Sequence, residues 1–410
     1  MAEDIATLIS QLNIDPQVFM VFLIVALMIV GAVVVVVASR PILDVYPYLN
    51  PIAKVRARKG RLLDDKQMSE ILESNNIEEF SSYLRGLPDY APYLAEYPIE
   101  KSLDVHMADT YKFISTIVPN EVKDSFDVLA TKVDIANIKA LLTAKEVGYS
   151  NEETSNLLLP SGSLYNDLDR LVDANSVNDV IAGLDGTEYG DILADAIPKY
   201  EEEGSLLPFS NALDKYYLHK LLHSTKVPGN DNTKAIYSYI GTQVDMDNLK
   251  LIIRAKADGL DYDALSPYLI SEGYQLREWK LKDLMESDSV EGVISSLDGT
   301  KYAEILQEPL SRYNNGESIS VFENALDSYF ADYSHSLSLE KPLGVGPIIG
   351  FLSGKEREIK NLKIIARAKR EEGFPEAKIQ EMLVWFHMLI MEWYYEFCCC
   401  YWRYWYCHRF

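Results

Sequence analysis

Two histidines and a cluster of cysteines are the groups in this chain whose types and spacing invite chemistry. His219 and His223 stand at i, i+4 on an expected helix, the spacing at which two imidazoles can share a metal ion. No acidic third ligand is placed by the sequence, so the pair reads as solvated or packed side chains. Cys398, Cys399, Cys400 and Cys407, with His408, offer soft-metal or thiol chemistry, but three adjacent cysteines close a tetrahedral site poorly. All four cysteines and four of the five tryptophans lie after Val384, so no disulfide framework supports the rest of the chain. Residues 385–410 read as a foreign or misread extension, with a membrane-interfacial segment as the other reading. Residues 344–350 are glycine-rich but carry a proline and lack dinucleotide-binding spacing. No GxxxxGK[ST], no GxGxxG after a strand, no HExxH and no GxSxG occurs. The expectation is therefore no catalytic residue, no metal ligand and no cofactor.

A different set of polar residues recurs with a period. Residues 134–145 read Asp-Ile-Ala-Asn-Ile-Lys-Ala-Leu-Leu-Thr-Ala-Lys, residues 245–256 read Asp-Met-Asp-Asn-Leu-Lys-Leu-Ile-Ile-Arg-Ala-Lys, and residues 358–369 read Glu-Ile-Lys-Asn-Leu-Lys-Ile-Ile-Ala-Arg-Ala-Lys. Asn137, Asn248 and Asn361 lie 111 and then 113 residues apart. They are expected to be buried hydrogen-bonding residues. Lys145, Lys256 and Lys369 fall in the last turn of each expected helix. One reading has them offset the helix dipole and cap carbonyls; the other gathers them into a basic patch about an axis.

The elements that hold these residues follow from periodicity. Ile135, Ile138, Leu141 and Leu142 recur as Met246, Leu249, Ile252 and Ile253, and as Ile359, Leu362, Ile365 and Ala366, a helix with one wide apolar face. Gly148, Gly259 and Gly373 follow, each with an apolar residue beyond (Tyr149, Leu260, Phe374), as helix C-caps do. Other lines share the offset. The line from Ser176 to Tyr189 recurs from Ser289 to Tyr302, with a weaker copy from Asn76 to Tyr90. Asn211-Ala-Leu-Asp-Lys-Tyr recurs at Asn324, and Ser102-Leu-Asp104 is the plausible first copy. A period this long makes each copy a small helical domain, and three copies suggest approximate threefold symmetry.

Residues 18–38 carry no charge and are long enough to cross a bilayer as a helix. Glu3, Asp4 and Asp15 precede this run, unlike the basic start of a cleaved signal. Arg40, Lys54, Arg56, Arg58, Lys59 and Arg61 follow it. The positive-inside rule then puts the N-terminus outside and the main body on the cytoplasmic side of a cell membrane, as a single-pass protein. The basic run 54–61 is expected to meet headgroups or a neighbouring protein. The net charge of -23 over 410 residues argues against a nucleic-acid partner. The fold class is all-α. Residues 1–17 form a short N-terminal segment and 18–39 the transmembrane helix, in contact with lipid. Three helical repeats follow at 41–130, 131–241 and 242–384, the last with a closing marker helix at 356–372, and then the tail 385–410.

Residues 354–383, with the string Glu-Ile-Lys-Asn-Leu-Lys-Ile-Ile-Ala-Arg-Ala-Lys-Arg-Glu-Glu-Gly-Phe-Pro inside them, and the opening run 48–63, Tyr-Leu-Asn-Pro-Ile-Ala-Lys-Val-Arg-Ala-Arg-Lys-Gly-Arg-Leu-Leu, are similar to the C-subunit family of archaeal A-type ATP synthases, relatives of the d subunit of V-type ATPases. The resemblance covers about residues 41–384, and the N-terminal membrane helix looks like the methanogen branch. It implies a funnel of three pseudo-repeated helical domains with no catalytic site of its own. It implies a rotor component on the proteolipid (K/c) ring that receives the D and F subunits of the central stalk and couples ion flow to the distant A and B nucleotide-binding subunits. On that reading Lys145, Lys256 and Lys369 hold an acidic stalk end, Lys54, Arg56, Arg58, Lys59 and Arg61 lie near the ring, and the membrane helix enters its lumen. The membrane helix and the tail depart from the common family pattern. Two rival classes are a membrane-anchored helical scaffold for unrelated proteins and a metal- or thiol-dependent enzyme built on the tail.

Overall fold

A computed structural model describes residues 15–225, 229–259, 265–371 and 374–384. Most of the expected N-terminal segment 1–17, Leu260, Gly373 and the tail 385–410 with its cysteines lie outside the described residues. Helices and turns make up the described chain; no strand forms there, and one isolated antiparallel bridge pairs Glu272 with Arg277. The all-α expectation holds.

The chain divides into two compact units, 1–50 and 51–410. In the first, the apolar run is part of one helix, Pro16–Lys59, that continues into the second unit. The span expected over 18–39 is thus the front of a longer element. No glycine stands between Gly31 and Gly60 to cap it, and the helix runs on through Pro47 and Pro51 to Lys59. Its apolar side chains are exposed, Phe22 at 67% and Val35 at 64%. Among the described residues it is the one helix long and apolar enough to cross a membrane, with a mean hydropathy of 3.3 in its most apolar window.

The second unit is organised by three marker helices, Leu129–Val147, Asp231–Ala257 and Gly346–Arg370. The third begins ten residues before the expected 356, because Pro347 opens it from the first turn, where its missing N–H costs no hydrogen bond. Every apolar position expected on the marker faces is buried. Around Ile252 and Ile253 they join Leu284, Leu297, Tyr302, Phe322 and Leu326 in one continuous core. Gly148 and Gly259 follow the first two helices with φ of 82° and 73°, the left-handed conformation glycine adopts without strain.

Each marker helix packs on equivalent partners. The first meets Val177–Gly183 and Leu207–His223, and the second meets Val290–Ser296 and Ser320–Glu340. The third meets Ile77–Arg85 and Ile99–Ile117, near the start of the chain. The helices that begin after Asn76, Ser176 and Ser289 share one N-cap, in which that side chain accepts the backbone N–H three residues on, at 2.9, 3.1 and 3.1 Å. The repeat seen in the sequence is therefore a repeat of hydrogen bonds and packing partners.

Candidate functional site

The marker helices each show two polar faces. The first is buried and locks the helix to its surroundings. Asn137 donates to the Leu159 carbonyl at 3.0 Å and accepts the Leu159 N–H at 2.7 Å. Asn248 makes the same two bonds with Ile270, at 2.7 and 3.0 Å, and Asn361 with Val384, both at 3.0 Å. Each amide thus satisfies one residue of a non-helical segment that has no ladder partner. Three positions before each asparagine stands a buried acid. Asp134 accepts the Leu164 N–H at 3.0 Å and Asp245 the Leu276 N–H at 3.1 Å. Glu358 accepts the Leu63 N–H at 2.6 Å.

Repeated tyrosines complete this face. Tyr302 donates to Asp245 at 2.9 Å, Tyr90 donates to Glu358, and the buried Tyr189 feels the Asp134 charge. Burial pushes the Asp245 carboxyl up against these hydrogen bonds, and pushes the Tyr90 and Tyr302 hydroxyls up with the neighbouring carboxylates. The fit is tight: a Cβ on Gly273 would stand 1.8 Å from an Asp245 oxygen. The third copy differs in one respect. Where the others have Thr131 and Thr242, it has Lys355, buried and 2.5 Å from Glu358.

The second polar face runs at i, i+4, i+7 and i+11, one stripe of a helix. It reads Lys132, Ala136, Lys139, Thr143 on the first helix, Gln243, Asp247, Lys250, Arg254 on the second, and Glu356, Lys360, Lys363, Arg367 on the third. The i+7 lysines make equivalent ion pairs: Lys139–Asp214 at 2.6 Å, Lys250–Asp327 at 2.5 Å and Lys363–Asp104 at 2.7 Å. Asp214 and Asp327 are the repeated aspartates of the Asn-Ala-Leu-Asp line, and Asp104 behaves as the expected first copy. One turn on, Arg254 pairs with Glu323, and Arg367 with Glu100 at 3.6 Å.

These stripes line two cavities. One, of about 540 Å³, has Lys132, Ala136, Lys139, Asp214, Lys215, Gln243 and Asp247 in its wall. The other, of about 530 Å³, has Asp104, Lys132, Gln243, Asp327, Glu356, Arg357, Lys360, Lys363 and Arg367. Lys132 and Gln243 belong to both walls. The charged linings carry three bases against two acids in the first cavity and five against three in the second, a basic balance inside a chain of net charge -23. At the i positions Lys132 lies 2.8 Å from Glu356, which also accepts the Tyr111 hydroxyl at 2.7 Å. Burial would lower the Lys132 ammonium, but Glu356 and the flanking tyrosines hold it well above its ordinary value. Lys132, Gln243 and Glu356 also bound a small gap of about 20 Å³ whose other walls are mainly apolar, Phe126, Leu221, Ile240 and Leu352 among them. They cap the joint where the three helices meet.

The last-turn lysines take a different place. Lys145 donates to the Val172 carbonyl at 2.5 Å, and Lys369 acts on Glu79. Lys256 is half-buried in the last turn of its helix. None of the three is among the residues lining the two cavities. Of the basic run, Arg56 donates to the Pro342 carbonyl at 3.2 Å, Arg58 lies 3.5 Å over the Phe113 ring and Arg61 pairs with Asp89 at 3.2 Å. Lys54 is exposed, and burial followed by the Arg56 charge lowers the half-buried Lys59 ammonium. The His219 and His223 rings stack at 6.1 Å, and among the described residues no three His, Cys, Asp or Glu side chains converge as a metal site.

Lys139 and Lys363, which line the cavities, and Lys250, which does not, stand in the repeated strings two residues after their asparagines. Their signal is the i, i+4, i+7 stripe, which the apolar face beside it overshadows. Comparison with known proteins gives this arrangement a context. The profile of the ATP synthase (C/AC39) subunit family matches residues 51–382. The C subunit of the A-type ATP synthase of Methanobrevibacter smithii is 59% identical over 384 residues, 94% of this chain and all of the relative. Its counterparts in Methanothermobacter thermautotrophicus and Methanocaldococcus jannaschii are 51% and 39% identical, over 93% and 94% of this chain and all of each relative.

Proposed function

The chain belongs to the ATP synthase C/AC39 subunit family, and from that premise we propose that it is a non-catalytic member of the central stalk of an A-type ATP synthase. It is a socket that couples the proteolipid ring to the stalk, so that ion translocation drives ATP synthesis. One observation carries the reading: two of three equivalent lysine–aspartate pairs, Lys139–Asp214 and Lys363–Asp104, line two cavities whose walls are net basic in an acidic chain, and the third, Lys250–Asp327, reaches them through Asp327. Such walls select an acidic partner end and repel the remainder of a basic surface. The buried clamps support the same reading, because a torque-bearing body must not shear between its helices. Close-packed interiors with satisfied polar groups resist that.

In this reading the D and F subunits of the stalk seat in the cavities, and the A and B subunits act at a distance. The helix Pro16–Lys59 anchors the chain in the membrane, with its N-terminus outside and its basic end on the cytoplasmic side. The exposed Lys54, more than the engaged Arg56, Arg58 and Arg61, is available to the ring surface. The stalk is held by Lys139, Lys250 and Lys363, while Lys145 is engaged with the Val172 carbonyl, Lys369 lies beside Glu79 and Lys256 stays in the last turn of its helix.

The test is to extract the full-length chain in mild detergent and identify by mass spectrometry what accompanies it. Proteolipid, stalk and A/B subunits at fixed ratios support the socket. The chain alone, or with unrelated proteins, overturns it in favour of a membrane-anchored helical scaffold.

A further inference from the structure

The three cavity-facing stripes are alike at one level and unlike at another. At i+7 all three carry lysine paired to aspartate, Lys139 and Lys363 in the cavity walls and Lys250 reaching them through Asp327, which by itself would offer a partner three similar settings. At i+4 they present Ala136, Asp247 and Lys360, that is nothing, an acid and a base. The consequence is visible at the aspartates. Asp327 is held by two ammonium groups, Lys250 and Lys360, each at 2.5 Å. Asp214 has Lys139 at 2.6 Å and shares its cavity wall with the acid Asp247. The two lysines on Asp327 outweigh burial and hold its carboxyl low, while burial raises the Asp247 carboxyl. One cavity thus presents a row of bases from the third helix, Lys360, Lys363 and Arg367, and the other presents the acid Asp247 at the equivalent position of the second helix.

We propose that Asp247 and Lys360 set the rotational register of the socket, admitting an asymmetric helical protein end in one of three otherwise similar settings. The occupant that fits carries acidic side chains on the flank facing Lys360, Lys363 and Arg367 and a basic or hydrogen-bond-donating flank facing Asp247. Misplacing that end by one setting puts acid against Asp247 and base against Lys360, so discrimination comes from repulsion as much as attraction. This rests on the socket reading above and assigns its stalk partner an orientation. A rotor that reset its register at each load would lose the fixed phase between ring and stalk.

The test uses the full-length chain assembled with its stalk partner, carrying a photoreactive phenylalanine analogue at Ala136 or at Ile364, one in each cavity wall. Captured stalk peptides are identified by mass spectrometry. The parent chain is expected to capture different stalk segments from the two positions, each favoured about tenfold over the other. The double variant D247N/K360M keeps size and shape and is expected to bring that preference below about threefold at both positions. If it does not assemble, the single variants K360M and D247N are each expected to weaken the preference. A parent that captures the same mixture from both positions overturns the proposal, as does an assembled variant that keeps the parent pattern. A parent that captures no stalk segment overturns the socket reading itself.

Discussion

The buried face and the cavity face of the marker helices use similar residue types to opposite ends. On the buried face, Asn137, Asn248 and Asn361 and the acids beside them bond to the protein's own backbone, with almost no water contact. On the cavity face, Lys139, Lys250 and Lys363 pair with aspartates and remain partly exposed, their side chains at 29%, 22% and 25%. An ion pair in water contributes little to stability, whereas a buried polar group left without its partner costs much. The same helix can therefore be rigid on one side and available on the other.

The sharpest way to break this contrast is to unbalance the buried face at its most charged point. Glu358→Gln leaves the Lys355 ammonium buried beside a neutral amide, and should lower unfolding free energy by about 3–5 kcal/mol, read by urea titration. Replacing both Lys355 and Glu358 with Met and Leu should cost markedly less, because no charge is then stranded. If the double variant were the worse of the two, the ion pair itself would be the stabilising element.

Next in size, Asn248→Ala strips both partners from the buried Ile270 backbone and should cost about 2–4 kcal/mol by the same titration. Loss of less than about 1 kcal/mol would mean water replaces the amide there.

His106 tests the buried face by pH. It is stacked on Tyr93 with ring centroids 4.7 Å apart, and burial, with the Lys355 charge behind it, lowers its pKa to about 3. On acidification the folded state therefore takes up its proton later than the unfolded chain, which does so near 6.5. Its stabilising contribution is complete above the unfolded value and is lost as pH falls below it, at up to about 1.4 kcal/mol per pH unit. His106→Phe should flatten the fall in stability between pH 6.5 and 5 relative to the parent. Parallel slopes would show that His106 takes up its proton alike in the folded and unfolded states over that range.

The smallest effect on stability belongs to the cavity face. Lys139→Met, Lys250→Met and Lys363→Met should each change unfolding free energy by about 1 kcal/mol or less. Combined, they should weaken stalk binding by at least about tenfold, roughly 1.4 kcal/mol, as measured by co-sedimentation. The triple Lys145, Lys256, Lys369 to Met should leave that binding unchanged. Reversal of these two results would move the socket to the helix ends.

Much of the buried face is legible in the sequence, because asparagine followed by an apolar residue recurs at offsets of 111 and 113 residues and a buried amide has few other uses. The apolar positions are equally plain. What a period cannot reveal is pairing. Asp104 is recognisable as a first copy of the Asn-Ala-Leu-Asp line, but it lies 259 residues before the lysine it meets, so its pairing emerges only from the fold. The lysines of the cavity face stay hidden for the same reason, since a charge on a helix is ordinarily solvated and the partner of Lys139 stands 75 residues away. The end of the apolar helix lies beyond the expected span because charge marks the edge of a membrane span, whereas the helix continues past it to Lys59.

The third marker helix packs against the beginning of the chain, and this orders events during synthesis. Tyr90 finds its acceptor Glu358 only 268 residues later. At about 5–20 residues per second a ribosome takes roughly 10 to 50 s to cover that stretch. For that interval Phe80, Leu84 and Leu103, which the finished protein buries completely, have no third marker helix to cover them. The two later helical groups carry their marker helix ahead of its partners and can fold as they emerge. The first must wait, so the last part of the chain to be translated finishes the first part to be made.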